Sequence, residues 1–512
     1  MEPVYSIPNV GEEFVPAQQL FESLKDWLGA MPAMELTHSE LEERLEVQGR
    51  EVLRQLYQAH LWRRAREEVR QAEVVDSQGQ RRTLVEPSRR RLMTVFGPVQ
   101  VERLAYRARG LGNLHPADGH LNLPPESHSH GLRRRVAEEA SRGSYQEVVG
   151  AVKRWSGTPL GKRQAEGLAV AAAQDFDAFY EQQSTAPPQA QPAQPADSPP
   201  VFLTLTLDSK GVVMRPEALT EATKKAAQSS QHKLERRLSQ GEKRGRKRMA
   251  TVAAVYDIAP FVRSPKEVMG DLVPVKALGP PRPRPAHKRV WASVEKDAAT
   301  VTAEVFAEAT RRDPRHQRRW VVLVDGDLHQ LERIQAAAQQ QQVELTIVVD
   351  FLHVLEYLWK AAWCFFAQGD PAAQDWVQER AVRILEGKAR DVAAGIRRSA
   401  TRRDLDANRR TGADECADYL LRKQPYLRYD EYLAQGLPIA TGVIEGACRY
   451  LVKDRMDITG ARWGLKGAEA VLRLRSLRAS DDWDAYWSFH LQQEQQRHHD
   501  SRYADHVLPQ VA

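Results

Sequence analysis

The sequence predicts an α/β protein, with a mixed five-stranded sheet, an all-helical insertion and an α+β region in front. Three observations point there. Two apolar runs, LTLTLD ending at Asp208 and WVVLVD ending at Asp325, read as buried strands that each close on an acid. A Pro/Gln/Ala stretch over 183–200 cannot pack a core and divides the chain. Residues 353–430, rich in Ala, Arg, Leu and Trp, read as helix almost throughout.

The first part of the chain justifies its elements in turn. Residues 34–72 predict a long amphipathic helix, opened by a Thr37/Glu40 capping box and carrying Leu41, Leu45, Leu53, Leu56 and Leu61 at helical spacing. Two β-rich pairs follow, turning at Gly79 and at Gly97-Pro98. His115, His120, His128 and His130 come next with no cysteine and no ordered pair spacing, so they read as solvated loop histidines rather than metal ligands. Residues 131–182 predict three helices with Lys153, Arg154, Lys162, Arg163 and Gln164 exposed. That pattern suits either a helix-turn-helix-like DNA-binding module or a plain three-helix packing unit. GTPLGK is not a phosphate-binding loop, because Arg163 follows where Ser or Thr is needed and no strand precedes it.

After the linker the pattern becomes mixed. VFLTLTLD is a strand, GVVM a short partner after a Ser209-Lys210-Gly211 turn, and 249–259 a third strand. A helix over 294–312, a strand over 320–325, a helix through Ile334 and a strand over 343–350 complete the set. This is the order of a ribonuclease-H-like core. It lays the fourth strand beside the first, so Asp208 and Asp325 meet across a strand spacing of about 4.8 Å. The expected organisation is 1–130 (N-terminal helix and β-rich region), 131–182 (helical module), 183–200 (linker), 201–352 (core), 353–435 (helical insertion), 436–490 (last part of the core) and 491–512 (tail).

The stretch over 443–478 carries the chemistry. Glu445, Arg449 and Lys453 are spaced by four residues and fall on one helical stripe. An acid leading cations suits a site that binds magnesium beside a phosphate backbone. Two strand aspartates and a helical glutamate are what a two-metal phosphoryl-transfer site requires, with ions roughly 4 Å apart. Each acid alone also has a plain reading, as turn former, helix cap or solvated residue. For the second acid, Asp325 is favoured over Asp350, which looks like a helix start, and over Asp327, which looks like a cap.

The charge is concentrated rather than large. Lys+Arg number 74 against 68 Asp+Glu, a net +6, and the segment His232–Arg248 alone holds eight basic and two acidic residues. Lys243, Arg244, Arg246, Lys247 and Arg248 in it are candidate phosphate contacts, as are Arg449, Lys453, Arg455 and Arg462. The alternative for such a run is a solvated loop. Trp463 either stacks on an unpaired terminal base or fills the core. Cys364, Cys416 and Cys448 are far apart and show no ligand spacing, which suits a reducing cytoplasm. No signal peptide and no membrane span is expected.

The runs VLVDGDLHQLERI (322–334), VVDFLHVLEYLWKAAWCF (348–365) and VIEGACRYLVKDRM (443–456) resemble bacterial insertion-sequence transposases of the DDE class, the ISKra group above all, over about residues 90–490. The resemblance implies a ribonuclease-H-like core with cut-and-join chemistry on DNA ends. It assigns Asp208, Asp325 and Glu445 as the acidic triad holding two Mg2+, with Mn2+ as a substitute. A helical insertion of the kind several transposase families carry accounts for Glu445 lying 120 positions after Asp325. Family members often carry a Cys-x-x-Cys pair after the residue matching Tyr106, and here Ala108 and Leu111 stand instead, which departs from a zinc ribbon. The partners implied are double-stranded DNA, as element ends and target, and further copies of the chain in a homo-oligomer, with no membrane and a nucleoid-associated setting. A structure-selective nuclease on the same fold, or a non-catalytic DNA-binding descendant, are the rival readings.

Overall fold

The computed structural model describes residues 11–185, 201–228, 246–271, 281–458 and 460–511. Lys243, Arg244 and most of the 183–200 linker lie outside the described residues. The chain divides into two compact units, Met1–Phe179 with Asp482–Ala512, and Tyr180–Asp481.

In the first unit, α1 (Val15–Leu28) precedes α2 (His38–Glu67), the long helix expected. Its capping box forms as predicted: the Glu40 carboxylate accepts the Thr37 N–H at 2.8 Å, and the Thr37 hydroxyl accepts the Glu40 N–H at 3.4 Å. A short pair, β1 (Val74–Val75) and β2 (Arg81–Arg82), turns through Gly79 at φ +77°. A longer hairpin, β3 (Leu84–Thr94) and β4 (Gly97–Arg107), pairs from Leu84↔Arg107 to Thr94↔Gly97. Its apolar face, with Leu92, Val99 and Val101, closes on Leu61 of α2. Three helices follow and pack on one another: α3 (His130–Arg142), α4 (Tyr145–Ser156) and α5 (Lys162–Ala172). The last starts only at Lys162, because Pro159 disfavours helical backbone at Thr158. It also ends early, turning at 173–175 before helix resumes at Phe176. Of the four histidines expected to be solvated, His120 is exposed and the other three are not. His128 is buried, and burial pushes His115 and His130 down to about 4.

The second unit holds β5 (Phe202–Met214), β6 (Arg246–Ile258), β7 (Ala286–Ser293), α6 (Ala298–Arg312), β8 (Trp320–Val324), α7 (Leu328–Gln341) and β9 (Leu345–Val349). The sheet order is β7-β6-β5-β8-β9, antiparallel on the β7 side of β5 and parallel on the other. The mixed five-stranded α/β sheet is as predicted, and β8 lies beside β5 as predicted. Its composition differs in two places. The expected turn at Ser209-Lys210-Gly211 does not form. β5 runs straight through it, because β6 pairs with it continuously from Phe202↔Ile258 to Met214↔Arg246. Gly211 suits that run, since a Cβ there would come within 2.7 Å of the Lys247 side chain. The fifth strand is instead β7, which sequence reading missed, and which buries Val290, Trp291 and Ala292.

The helical insertion follows as α8 (Phe351–Ala362), α9 (Pro371–Leu385), α10 (Ala389–Arg402) and α11 (Thr411–Lys423). Then come α12 (Gly442–Ala447), a π turn over Cys448–Lys453, and α13 (Leu465–Ala479). α13 packs on β7, where the Glu469 carboxylate accepts from the Ser293 hydroxyl and the Val294 N–H, each at 2.9 Å. The next helix, α14 (Trp483–His498), belongs to the first unit. There the Tyr486 hydroxyl donates to the Ala172 carbonyl at 2.6 Å, and Arg133 pairs with Glu494 at 3.3 Å. The expected tail of 491–512 is therefore part of a packed unit, and the core ends near residue 481 rather than 490. No helix among the described residues is long and apolar enough to cross a membrane.

Candidate active site

Strand register gathers the aspartates. Thr206 of β5 pairs with Leu323 of β8, so two residues further on Asp208 and Asp325 share a row. Val324 pairs with Val349 of β9, so one residue further on Asp325 and Asp350 share the same row. Adjacent strands stand about 4.8 Å apart, which brings the three residues to one level of the sheet. β8 and β9 end there. Asp208, expected at a strand end, lies mid-strand instead, level with the end of β8.

Each aspartate has its own surroundings. Asp208 is half-buried, accepting the Ser209 N–H at 2.6 Å on one oxygen and the Cys448 thiol at 3.2 Å on the other. Asp325 is half-buried and accepts the Asp327 N–H at 3.0 Å, while its main-chain carbonyl takes the Tyr419 hydroxyl of α11 at 3.1 Å. Gly326 turns the chain at φ +93°, a conformation other residues adopt only with strain. Asp327 caps α7, as its sequence context suggested, accepting the Gln330 N–H at 2.9 Å. Asp350 is buried at 3% exposure and caps α8, accepting the Leu352 N–H at 2.8 Å and the Thr441 hydroxyl. Burial draws its carboxyl above the usual range, against the hydrogen bonds that lower it.

Glu445 reaches this row from α12. Thr441 is the hinge of that approach. Its hydroxyl is held by Asp350, and its carbonyl accepts the N–H groups of Ile444 at 2.9 Å and Glu445 at 3.1 Å. The Glu445 carboxyl is raised above its ordinary range by partial burial first, then by the charges of Asp350, Asp208 and Glu356, with His353 opposing. Those couplings place Glu445 within electrostatic reach of both Asp208 and Asp350. Beyond it, Arg449 and Lys453 are exposed, as is Glu445. Four-residue spacing drifts around a regular α-helix, and the π turn offsets that drift. Arg449 lies 3.7 Å from Asp454.

The remaining predicted contacts are distributed unevenly. Arg462 is exposed, Lys247 is exposed, and Arg246 and Arg248 are half-buried at the start of β6. Arg455 and Trp463 are buried at 2% and 6% exposure, stacked at 4.8 Å, and the indole N–H donates to the Met456 carbonyl at 2.9 Å. These two have no surface to offer DNA, which corrects their expected role. Trp463 instead ties its loop to β5, exchanging main-chain hydrogen bonds with Val213 and Arg215. In the first unit, Lys162, Arg163 and Gln164 are exposed at the start of α5. The Gln164 side-chain oxygen is engaged there, accepting the Gly161 N–H at 2.9 Å.

Sequence reading missed Thr441, Cys448 and Tyr419, which hold the acids from elements far away in the chain. One group of three ligand atoms within 4.8 Å occurs among the described residues, and it is elsewhere, at Asp175, His490 and Glu494. Arg497 and Arg133 already neutralise its two carboxylates, so it is an ion-pair network of the first unit. The acids of the second unit do not form such a group among the described residues. No family model and no curated protein matches the chain.

Proposed function

We propose that this chain is a DNA transposase of the bacterial insertion-sequence DDE type, cutting and joining DNA ends through Asp208, Asp325 and Glu445. The observation that carries the reading is that Asp208, Asp325 and Asp350 share one row across β5, β8 and β9, with Glu445 feeling the charges of Asp350 and Asp208. The ribonuclease-H-like reading draws support from the strand order and from β8 lying parallel beside β5. The resemblance of the runs around Asp325, Asp350 and Glu445 supports the same class.

The donors fit magnesium. They are hard carboxylate oxygens, and the charge gathered on them is of the kind a divalent cation offsets. Asp208, Asp325 and Glu445 would hold two Mg2+, or Mn2+ in their place. Ions bound there would activate the attacking oxygen and offset charge on the leaving one. Asp350 holds α12 in place through Thr441 rather than serving as the second ligand. Arg449, Lys453 and Arg462 steady the phosphate backbone beside the acids, with Lys243, Arg244, Arg246, Lys247 and Arg248 extending the contact. Lys162, Arg163 and Gln164 form the reading end of a helix-turn-helix-like module for terminal repeats. The partner is double-stranded DNA in the cytoplasm, at the nucleoid, and the active complex is a homo-oligomer.

The test is a duplex carrying the inverted repeats that flank the coding region, incubated with the protein and Mg2+. Cut ends and joined products are expected together. Cutting without joining would make it a structure-selective nuclease. No metal-dependent product would leave a DNA-binding protein without chemistry.

A further inference from the structure

The first unit carries a cationic groove that the reading above does not use. It is a cavity of about 1070 Å3 walled by α2, the tip of the β3–β4 hairpin and the C-terminal end of α4. Arg50 and Arg54 come from α2, Arg89 and Arg91 from β3, and Lys153 and Arg154 from α4, while Glu51 is the one carboxylate on the wall. The walls are tied by arginine. Arg50 donates to the Arg154 carbonyl at 3.0 Å and Arg54 to the Pro98 carbonyl at 3.2 Å. These bonds use neutral acceptors, but Arg50 also pairs with Glu46 at 3.7 Å and Arg89 with Glu102 at 3.4 Å, so the uncompensated charge of the groove rests on Arg91, Lys153 and Arg154. Glu51 offsets only Arg54, its hydrogen-bond partner at 2.7 Å.

Arg91, Lys153 and Arg154 are exposed, and no side-chain ion pair engages them among the described residues. Trp62 also lines the groove. It is buried at 4% exposure, and its indole N–H has no hydrogen-bond partner among the described residues. A small-molecule site is mostly apolar with a few polar groups. This wall adds to its apolar surface cations from three elements, an arrangement that favours a polyanion with regularly spaced charges.

We propose that this groove binds the phosphate backbone of double-stranded DNA, as a second contact surface apart from the carboxylate row. The choice of DNA among polyanions rests on the function proposed above. The role is positional. Phosphate contacts fix register without reading sequence, so they complement the base contacts expected of α5.

The test uses the full chain in EDTA, so that no DNA is cut, and follows fluorescence anisotropy of a labelled scrambled duplex across a salt series. Arg91→Ala, Lys153→Ala and Arg154→Ala together should weaken binding equally for terminal-repeat and scrambled duplexes. The slope of log K against log salt should become shallower by about 2 to 3, at roughly 0.9 per lost phosphate contact. Arg154→Glu alone should shift the slope in the same direction, and it answers the question should the triple variant not fold. If the unmodified chain binds no DNA, the proposed function falls and this inference with it. If it binds DNA and both variants keep its slope, the groove assignment alone is overturned. Groove-dependent binding that favours an RNA duplex or polyglutamate over DNA overturns the choice of partner.

Discussion

At the scale of single residues, Asp208 and Asp325 were legible because each closes a run of β-branched and leucine residues, and Glu445 because it leads Arg449 and Lys453 at helical spacing. Their supports were not. Thr441 meets Asp350 across 91 residues and Cys448 meets Asp208 across 240, and no local pattern encodes such pairs. Trp463 was open between two readings, and packing takes the core one. Its Gly-flanked, basic neighbourhood suggested DNA, yet the side chain is buried against Arg455 and bonded to Met456. Trp463→Ala should destabilise the second unit by about 3–5 kcal/mol, the usual cost of emptying a large aromatic site. Denaturant unfolding measures that loss. The salt dependence of DNA binding should stay as it was in the folded variant. A stable variant with a shallower slope would restore Trp463 as a DNA contact.

At the scale of elements, period and capping signals found what local chemistry decides. The Thr37 cap opens α2 where predicted, and the apolar runs give β8 and β9. The turn-like Ser209-Lys210-Gly211 failed because tertiary pairing with β6 overrides a weak local preference. β7 was missed because its apolar part is short and follows the Pro-rich run over 279–285. Helix packing around the site yields a sharper expectation. A Cβ at Gly412, at the start of α11, would meet the Lys360 main-chain carbonyl of α8 at 2.6 Å, and backbone cannot yield as a flexible side chain can. Gly412→Ala should therefore cost about 1–3 kcal/mol through overpacking. Because α11 also carries Tyr419, whose hydroxyl holds the Asp325 carbonyl, activity should fall with stability. Thermal melting tests this, and an unchanged midpoint would mean the two helices separate freely.

At the scale of the whole molecule, the Pro-rich linker suggested a cut that the packing does not respect. A fragment of residues 1–185 looked separable, but α14 returns from the far end of the chain to bury Tyr486 and Glu494 in the first unit. That fragment alone should lack cooperative unfolding, and adding 482–512 on a flexible linker should restore it. Calorimetry distinguishes the two, and a sharp transition from 1–185 alone would contradict the account. The same unit should respond to acid. His115 and His130 are held near 4, below the ordinary value of 6.5, so the folded form prefers them neutral. Unfolded chains bind these protons sooner. Stability is therefore full above about 6.5 and is lost as pH falls toward about 4. Melting temperatures across that window should fall less steeply in a His115→Gln, His130→Gln variant, and an unchanged pH profile would remove these residues as its cause. The central claim is that Asp208, Asp325 and Glu445 form one metal-binding set while Asp350 only positions it. The most direct measurement compares cleavage and joining in Mg2+ for Asp208→Ala, Asp325→Ala, Glu445→Ala and Asp350→Asn, with DNA binding followed in parallel. The first three should lose both reactions while binding DNA as before, and Asp350→Asn should retain measurable activity. An active Asp325→Ala protein beside a dead Asp350→Asn protein would contradict the assignment.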